Sequence, residues 1–283
     1  MTRAGPYEDS WQTPDFSGPR YSQSLARGLA IMECFDAERP VLGIAEIAEE
    51  LGMSRSTTHR YLATLVGLGY MEQDKSRKYR LSLRVTDLGM AALHSTGLRE
   101  HAHSILEELR QGSGFTAGLA MLDGPEIVYV DRLVSYRRGQ EDVEVGLGIG
   151  SRLPAYCTAL GKVLLAHLPE SDRQELLFGG PTLERKGPNA ITGKGALRAE
   201  LAMVLEEGFA AEDEELAAGR IAIAAPVRDA TGTVIAAIDL ASDTSTISLE
   251  RLVAALHPHL IAAADRISAR LGYRRDDGTA GGR

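Results

Sequence analysis

The run from Ile44 to Leu81, IAEIAEELGMSRSTTHRYLATLVGLGYMEQDKSRKYRL, constrains the fold more than any other part of the chain. Ile44, Ile47, Ala48 and Leu51 recur at helical spacing, which predicts a short amphipathic helix. Gly52 and Met53 follow as a tight turn, because glycine takes the positive φ that closes a helix. Ser54 stands where a second helix needs a cap for its first N–H groups. That helix carries Thr58, Tyr61, Leu62, Leu65 and Leu68 on one face and stops at Gly69. At about 100° per residue the opposite face holds Ser56, His59, Arg60 and Ala63. Small and hydrogen-bonding side chains with one cation suit a helix lying in a DNA major groove.

Tyr70–Gln73 then reads as a short strand, Asp74–Arg77 as a turn and Lys78–Leu81 as the returning strand. This hairpin makes a basic wing beside the helix. Between Met53 and Arg84 stand seven Lys/Arg and two Asp/Glu, a local excess of five positive charges. A helix-turn-helix with both a wing and a charge excess points to nucleic acid, with Ser54, Arg55, Ser56, Thr57, His59 and Arg60 on the helix and Lys75, Arg77, Lys78 and Arg80 on the wing as candidate contacts. The bland alternative is a solvated helical hairpin followed by an ordinary β-hairpin.

A net charge of −8 argues against nucleic acid only while the chain is taken whole. Residues 1–99 hold 12 basic and 12 acidic residues, and the remaining 19 basic and 27 acidic residues lie beyond them. A locally basic reading head on an acidic body satisfies a DNA-binding protein, because phosphate fields act over short range. No apolar run approaches the roughly 18 residues of a membrane span. Cys34 and Cys157 are too few for a disulfide framework, so a cytoplasmic location is expected, with no membrane partner.

Along the chain, residues 1–20 carry Pro6, Pro14 and Pro19 without periodicity and are expected to be a disordered tail. Residues 21–83 form the head, opened by a helix over Ser22–Phe35. Residues 84–99 form a linker helix, Arg84–Leu98, whose apolar stripe suits pairing with a second copy. Residues 100–273 alternate helices and strands: a helix His101–Arg110, a hairpin Ala117–Leu122 and Ile127–Leu133, a strand Val143–Leu147, and a helix Thr158–Leu168. A short helix around Gln174–Leu177, a helix Gly195–Gly208, strands Ile221–Arg228 and Val234–Ala241, and a closing helix Leu249–Leu271 complete them. Hairpins and helices around one antiparallel sheet define an α+β domain. Residues 274–283 read as a frayed tail.

Catalytic and metal motifs fail on spacing. A phosphate loop at Gly161-Lys162 or Gly193-Lys194 needs glycine five residues before the second glycine and Ser/Thr after the lysine. Tyr156 and Val163, then Pro188 and Gly195, occupy those places, so Lys162 is expected to be a surface or capping lysine. His101 and His103, like His257 and His259, stand two apart on helices and point about 200° apart. No metal, cofactor or enzymatic activity is expected. The run Glu212–Glu215 reads as a solvated acidic face. The helix starting at Thr158 offers a carboxylate site at its N–H groups, Ala159 to Gly161, with Arg220 as a second arm, unless Thr158 merely caps the helix and Arg220 pairs with the acidic run.

The motifs GIAEIAEELGMSRSTTHRYLATLVGLGY, KYRLSLRVTDLG, LDGPEIVYVDR, SRLPAYCTALGKVLLA and DEELAAGRIAIAAPVRDATGTVIAAIDLA, in this order, resemble the IclR family of bacterial transcription regulators over Tyr21 to Tyr273. The head further resembles the branch that controls aromatic-acid catabolism. The resemblance implies a winged helix-turn-helix, a linker helix and a GAF-like effector domain. It also implies a homodimer or dimer of dimers on an inverted-repeat operator, as repressor or activator. It places the effector pocket at Ala159, Leu160, Glu212, Arg220, Ala222, Asp239 and Ala241. A small carboxylic acid, most simply an aromatic one, would then lie between Thr158–Gly161 and apolar walls of Leu160, Val145, Leu153 and Ala222. The alternative is a ligand-binding or catalytic GAF-like protein whose winged head makes protein contacts.

Overall fold

The computed structural model describes residues 22–36, 38–135, 147–178 and 183–274. The expected tail over 1–20, the expected strand at Val143–Leu147 except its last residue, and 275–283 lie outside the described residues. The chain divides into two compact units after Ser95. Among the described residues no helix is long and apolar enough to cross a membrane.

The first unit contains α1 (Gln23–Glu33), α2 (Ile44–Glu50), α3 (Arg55–Gly67), β1 (Met71–Gln73), β2 (Tyr79–Leu81) and α4 (Arg84–Ser95). The Glu46 carboxylate accepts the Gly43 N–H at 2.6 Å, fixing the start of α2. Gly52, at φ +60°, turns the chain. Ser54 Oγ then accepts the Thr57 N–H at 3.2 Å and starts α3. Ile31, Cys34, Leu42, Ile47, Leu62, Leu65, Met71 and Tyr79 form the core. β1 and β2 pair antiparallel, with Glu72 opposite Arg80, and Leu42 bridges to Tyr79. Leu68, expected on the buried face of α3, is exposed. It caps the helix, and Gly69 at φ +80° turns the chain away, so the helical phase no longer applies there.

The linker helix expected over Arg84–Leu98 is shorter. Gly97, at φ +59°, interrupts it, and Leu98 opens the next helix as a fully buried residue. That helix, α5 (Leu98–Ser113), begins the second unit. It is followed by β3 (Thr116–Asp123), β4 (Glu126–Leu133), β5 (Arg152–Pro154), a 3-10 turn Ala155–Cys157, α6 (Ala159–Ala166), α7 (Glu170–Phe178), α8 (Lys194–Glu207), β6 (Ala210–Asp213), β7 (Arg220–Arg228), β8 (Val234–Asp243) and α9 (Leu249–Arg270).

One antiparallel sheet in the order β5-β4-β3-β8-β7-β6 organises this unit. α6 packs on one face with α8 behind it, and α5 and α9 pack on the other. β5 and β6 carry too few β-branched residues to announce themselves: Ala-Ala-Glu-Asp pairs only because β7 offers an open edge. The expected solvated face over Glu212–Glu215 is therefore half wrong. Glu212 and Glu215 are buried, while Asp213 is exposed.

Candidate functional site

In the head, Arg55, Ser56, His59, Arg60 and Ala63 are all exposed on one side of α3, while Thr58, Leu62 and Leu65 hold its other side in the core. The hydroxyls at its start are already mutually engaged: Ser54 Oγ lies 3.0 Å from Ser56 Oγ and 2.8 Å from Thr57 Oγ1. On the wing, Asp74 Oδ1 accepts from Ser76 N–H and Lys78 N–H, shaping a turn that places Arg77 at φ +62°. The Asp74 carboxyl is held below its ordinary value, foremost by the Ser76 hydroxyl. Lys75, Arg77 and Lys78 project from this tip and are exposed. Arg80 differs, since its Nε and Nη2 donate to Glu72 Oε2 at 2.9 and 2.6 Å. Arg84 donates to the Leu68 carbonyl at 2.7 Å and lies over the Tyr70 ring, closing the exposed C-terminus of α3 with a cation.

The second unit gathers the other candidate residues on the α6 side of the sheet. Directly paired residues share a face, so Glu212, Ala222 and Ala241 form one cross-strand row, and Ala224, Asp239 and Gly118 the next. Ala159, Leu160, Ala222, Ala241 and Leu153 meet in one apolar cluster. Gly118 is required: a Cβ there would lie 2.5 Å from Asp239 Oδ1 and 2.8 Å from Tyr129 Cε1. Val145 lies outside the described residues.

Over this small-residue floor lies a buried charge cluster. Arg220 pairs directly with Glu212, and its Nη2 lies 3.8 Å from Asp239 Oδ2; all three side chains are almost wholly buried. Arg220 is thus engaged with carboxylates, as the plainer of its two sequence readings had it. Thr158 Oγ1 accepts the Gly161 N–H at 3.1 Å, so Thr158 caps α6 and consumes that donor. Gly161 itself lies against Ala155, whose carbonyl oxygen would be 2.1 Å from an added Cβ. Its role here is close packing. With the Gly161 N–H taken by the cap, the N–H groups of Ala159 and Leu160 remain ahead of the first intrahelical bond, Lys162 N–H to the Thr158 carbonyl. Cys157 is fully buried, and burial pushes its thiol up to about 12, the state of an inert thiol.

Lys162, expected at the surface, is completely buried, with Nζ 2.7 Å from Glu200 and 2.5 Å from Glu215. It ties α6 to α8 and to the β6–β7 turn. Sequence reasoning also missed Arg132 and Tyr129, which share the Gly118 face, the guanidinium lying over the ring. The alternation in VYVDR puts both on one side once the bulge opposite Leu119/Ala120 is known, and nothing in the sequence marks that bulge. Among the described residues no cluster of three or more His, Cys, Asp or Glu side chains suits a metal ion.

A winged helix-turn-helix head with a polar, partly cationic outward helix defines a DNA-binding protein, here carrying a second, sheet-based domain. Residues 24–75 match the IclR helix-turn-helix domain family, and residues 90–269 match the family of the bacterial transcriptional regulator IclR C-terminal domain. The Pca regulon regulatory protein of Pseudomonas putida is 34% identical over 250 residues, spanning 88% of this chain and 84% of that protein. Among solved structures, a protein of Rhodococcus sp. RHA1 described as a transcriptional regulator is 37% identical with a TM-score of 0.77, covering 89% of this chain and 98% of that one. An IclR homologue from Microbacterium hydrocarbonoxydans, complexed with 4-hydroxybenzoate, is 29% identical with a TM-score of 0.75, covering 88% and 98%. The chain belongs to the IclR family: it is a helix-turn-helix transcription regulator and not an enzyme.

Proposed function

We propose that this regulator binds an inverted-repeat operator as a homodimer or dimer of dimers, in the cytoplasm, and that a small aromatic carboxylic acid in the C-terminal domain sets its affinity. The observation that carries the effector reading is the alanine floor of Ala222, Ala224 and Ala241, packed in one cluster with Ala159 and Leu160 of α6. Small side chains there suit a flat ring, and the Ala159 and Leu160 N–H groups at a helix N-terminus suit its carboxylate. Arg220, already held by Glu212 and Asp239, acts here as the cation that keeps those two carboxylates in place. One similarity supports the acid: a homologue complexed with 4-hydroxybenzoate.

Thermal unfolding of the full chain tests this, since a ligand that binds only the folded state raises its melting temperature. At 100 times its dissociation constant the acid adds about 2.7 kcal/mol of stability. 4-Hydroxybenzoate, benzoate and short-chain acids are compared. Leu160→Trp is expected to fill the site and abolish the shift while DNA binding persists, with overpacking costing about 1–3 kcal/mol of stability. A full shift retained by this variant would displace the site from α6.

For the head, we infer that Arg60 and His59, exposed on α3, read base edges, and that Lys75, Arg77 and Lys78, exposed on the wing, hold phosphates. Arg60→Ala is expected to cost about 1–3 kcal/mol on a duplex enriched by the wild-type protein and to relax its sequence preference. Lys75→Ala should instead weaken all duplexes alike and flatten the salt dependence by about 0.9. Unchanged preference in Arg60→Ala would remove that residue from base reading.

A further inference from the structure

The wing is less basic on DNA than its composition suggests. Register places Glu72 directly opposite Arg80; Gln73 pairs with Tyr79 next, and beyond them the Asp74 N–H donates to the Lys78 carbonyl at 2.9 Å. Two residues from that turn along the same strands, Glu72 and Arg80 set opposite charges across the hairpin. Arg80 donates twice to one oxygen of Glu72, and both side chains are more than half exposed. Such a pair contributes little to folding, so stability is a weak reason for an acid at position 72. Its consequence for DNA is larger. Non-specific affinity comes from phosphates neutralised by cations and the counterions they release. Arg80 can exchange Glu72 for a phosphate, but Glu72 is then left facing the polyanion. The pair as a whole contributes no net cation. Asp74 differs, because its carboxylate is consumed in shaping the turn.

We propose that Glu72 is a specificity-determining residue: it neutralises Arg80 and repels phosphate, withholding the wing face from DNA of arbitrary sequence. Binding then depends more heavily on the α3 contacts that only a matching site provides. The proposal rests on the wing lying against DNA, as the assignment of Lys75, Arg77 and Lys78 also does.

The test uses the full-length protein, a random-sequence duplex of about 30 base pairs, and a duplex enriched from a random pool by the wild type. Affinities are measured across a salt series. Glu72→Gln is expected to tighten binding to the random duplex by roughly 5- to 8-fold at about 0.1 M salt for each wing engaged, and to steepen its salt slope by about 0.9. The enriched duplex should gain less, so the ratio between the two falls. Glu72→Gln combined with Arg80→Gln should return both slope and ratio to wild-type values, with the melting temperature unchanged throughout. Three results overturn the proposal: Glu72→Gln leaves the slope unchanged, weakens binding, or tightens both duplexes equally. If Lys75→Ala also leaves the slope unchanged, the wing does not face DNA, and the failure lies with that placement and not with Glu72.

Discussion

Arg220→Ala should destabilise the second domain by about 3–5 kcal/mol, measured by urea unfolding of the full chain. The guanidinium is the cation that the structure places against Glu212 and Asp239, and all three side chains are buried. Taking it away removes a buried cation from two carboxylates in a low-dielectric interior beside Ala222, Ala224 and Ala241. The cost arises from lost charge pairing and not from lost volume, which gives a second arm. Adding Glu212→Gln and Asp239→Asn to Arg220→Ala should recover most of the loss, because neutral amides no longer require a cation. A cost below about 1 kcal/mol for the single variant, or no recovery in the triple one, would mean the cluster is solvated in solution. Effector response should disappear in the single variant, since Glu212 and Asp239 flank the proposed site.

The head was legible because its signals are local. Gly52, the Ser54 cap and the Asp74–Arg77 turn each act within four residues, and each is found in place. The second domain was legible as a set of helices and hairpins, since the turns at Gly124 and Gly232 join strands adjacent in sequence. What the sequence withheld is non-local. Arg220 meets Asp239 because β7 and β8 pair in one particular register, and a shift by one residue would turn Arg220 to the opposite face. Lys162 misled for a different reason. Every residue of α6 is buried, so the helix has no polar face, and a lysine within it has no periodic signal to mark its surroundings. Arg80 shows the same limit on the wing: a charge count along the chain cannot see that Glu72 lies across the hairpin.

Lys162→Met should cost about 3–5 kcal/mol at pH 8 and much less at pH 5. Methionine keeps most of the side-chain length, so packing along α6 is retained while Glu215 and Glu200 lose their cation. Burial already raises the Glu215 carboxyl above its ordinary 4.5, and Lys162 is the main group opposing that rise. Without Lys162 the folded-state value climbs further. A carboxyl whose folded value lies above its unfolded one is bound as the neutral acid in the fold. Its penalty is absent below the unfolded value of about 4.5 and grows as pH rises to the folded value, at about 1.4 kcal/mol for each unit between them. Urea unfolding of the variant and the wild type at both pH values reads this directly. Adding Glu215→Gln to Lys162→Met should remove most of the pH dependence. A loss equal at pH 5 and pH 8 would instead assign Lys162 to packing alone. Because this ammonium joins α6 to the turn that follows β6, the strand holding Glu212, any acid-induced thermal shift should survive in the variant at pH 5 and fade at pH 8.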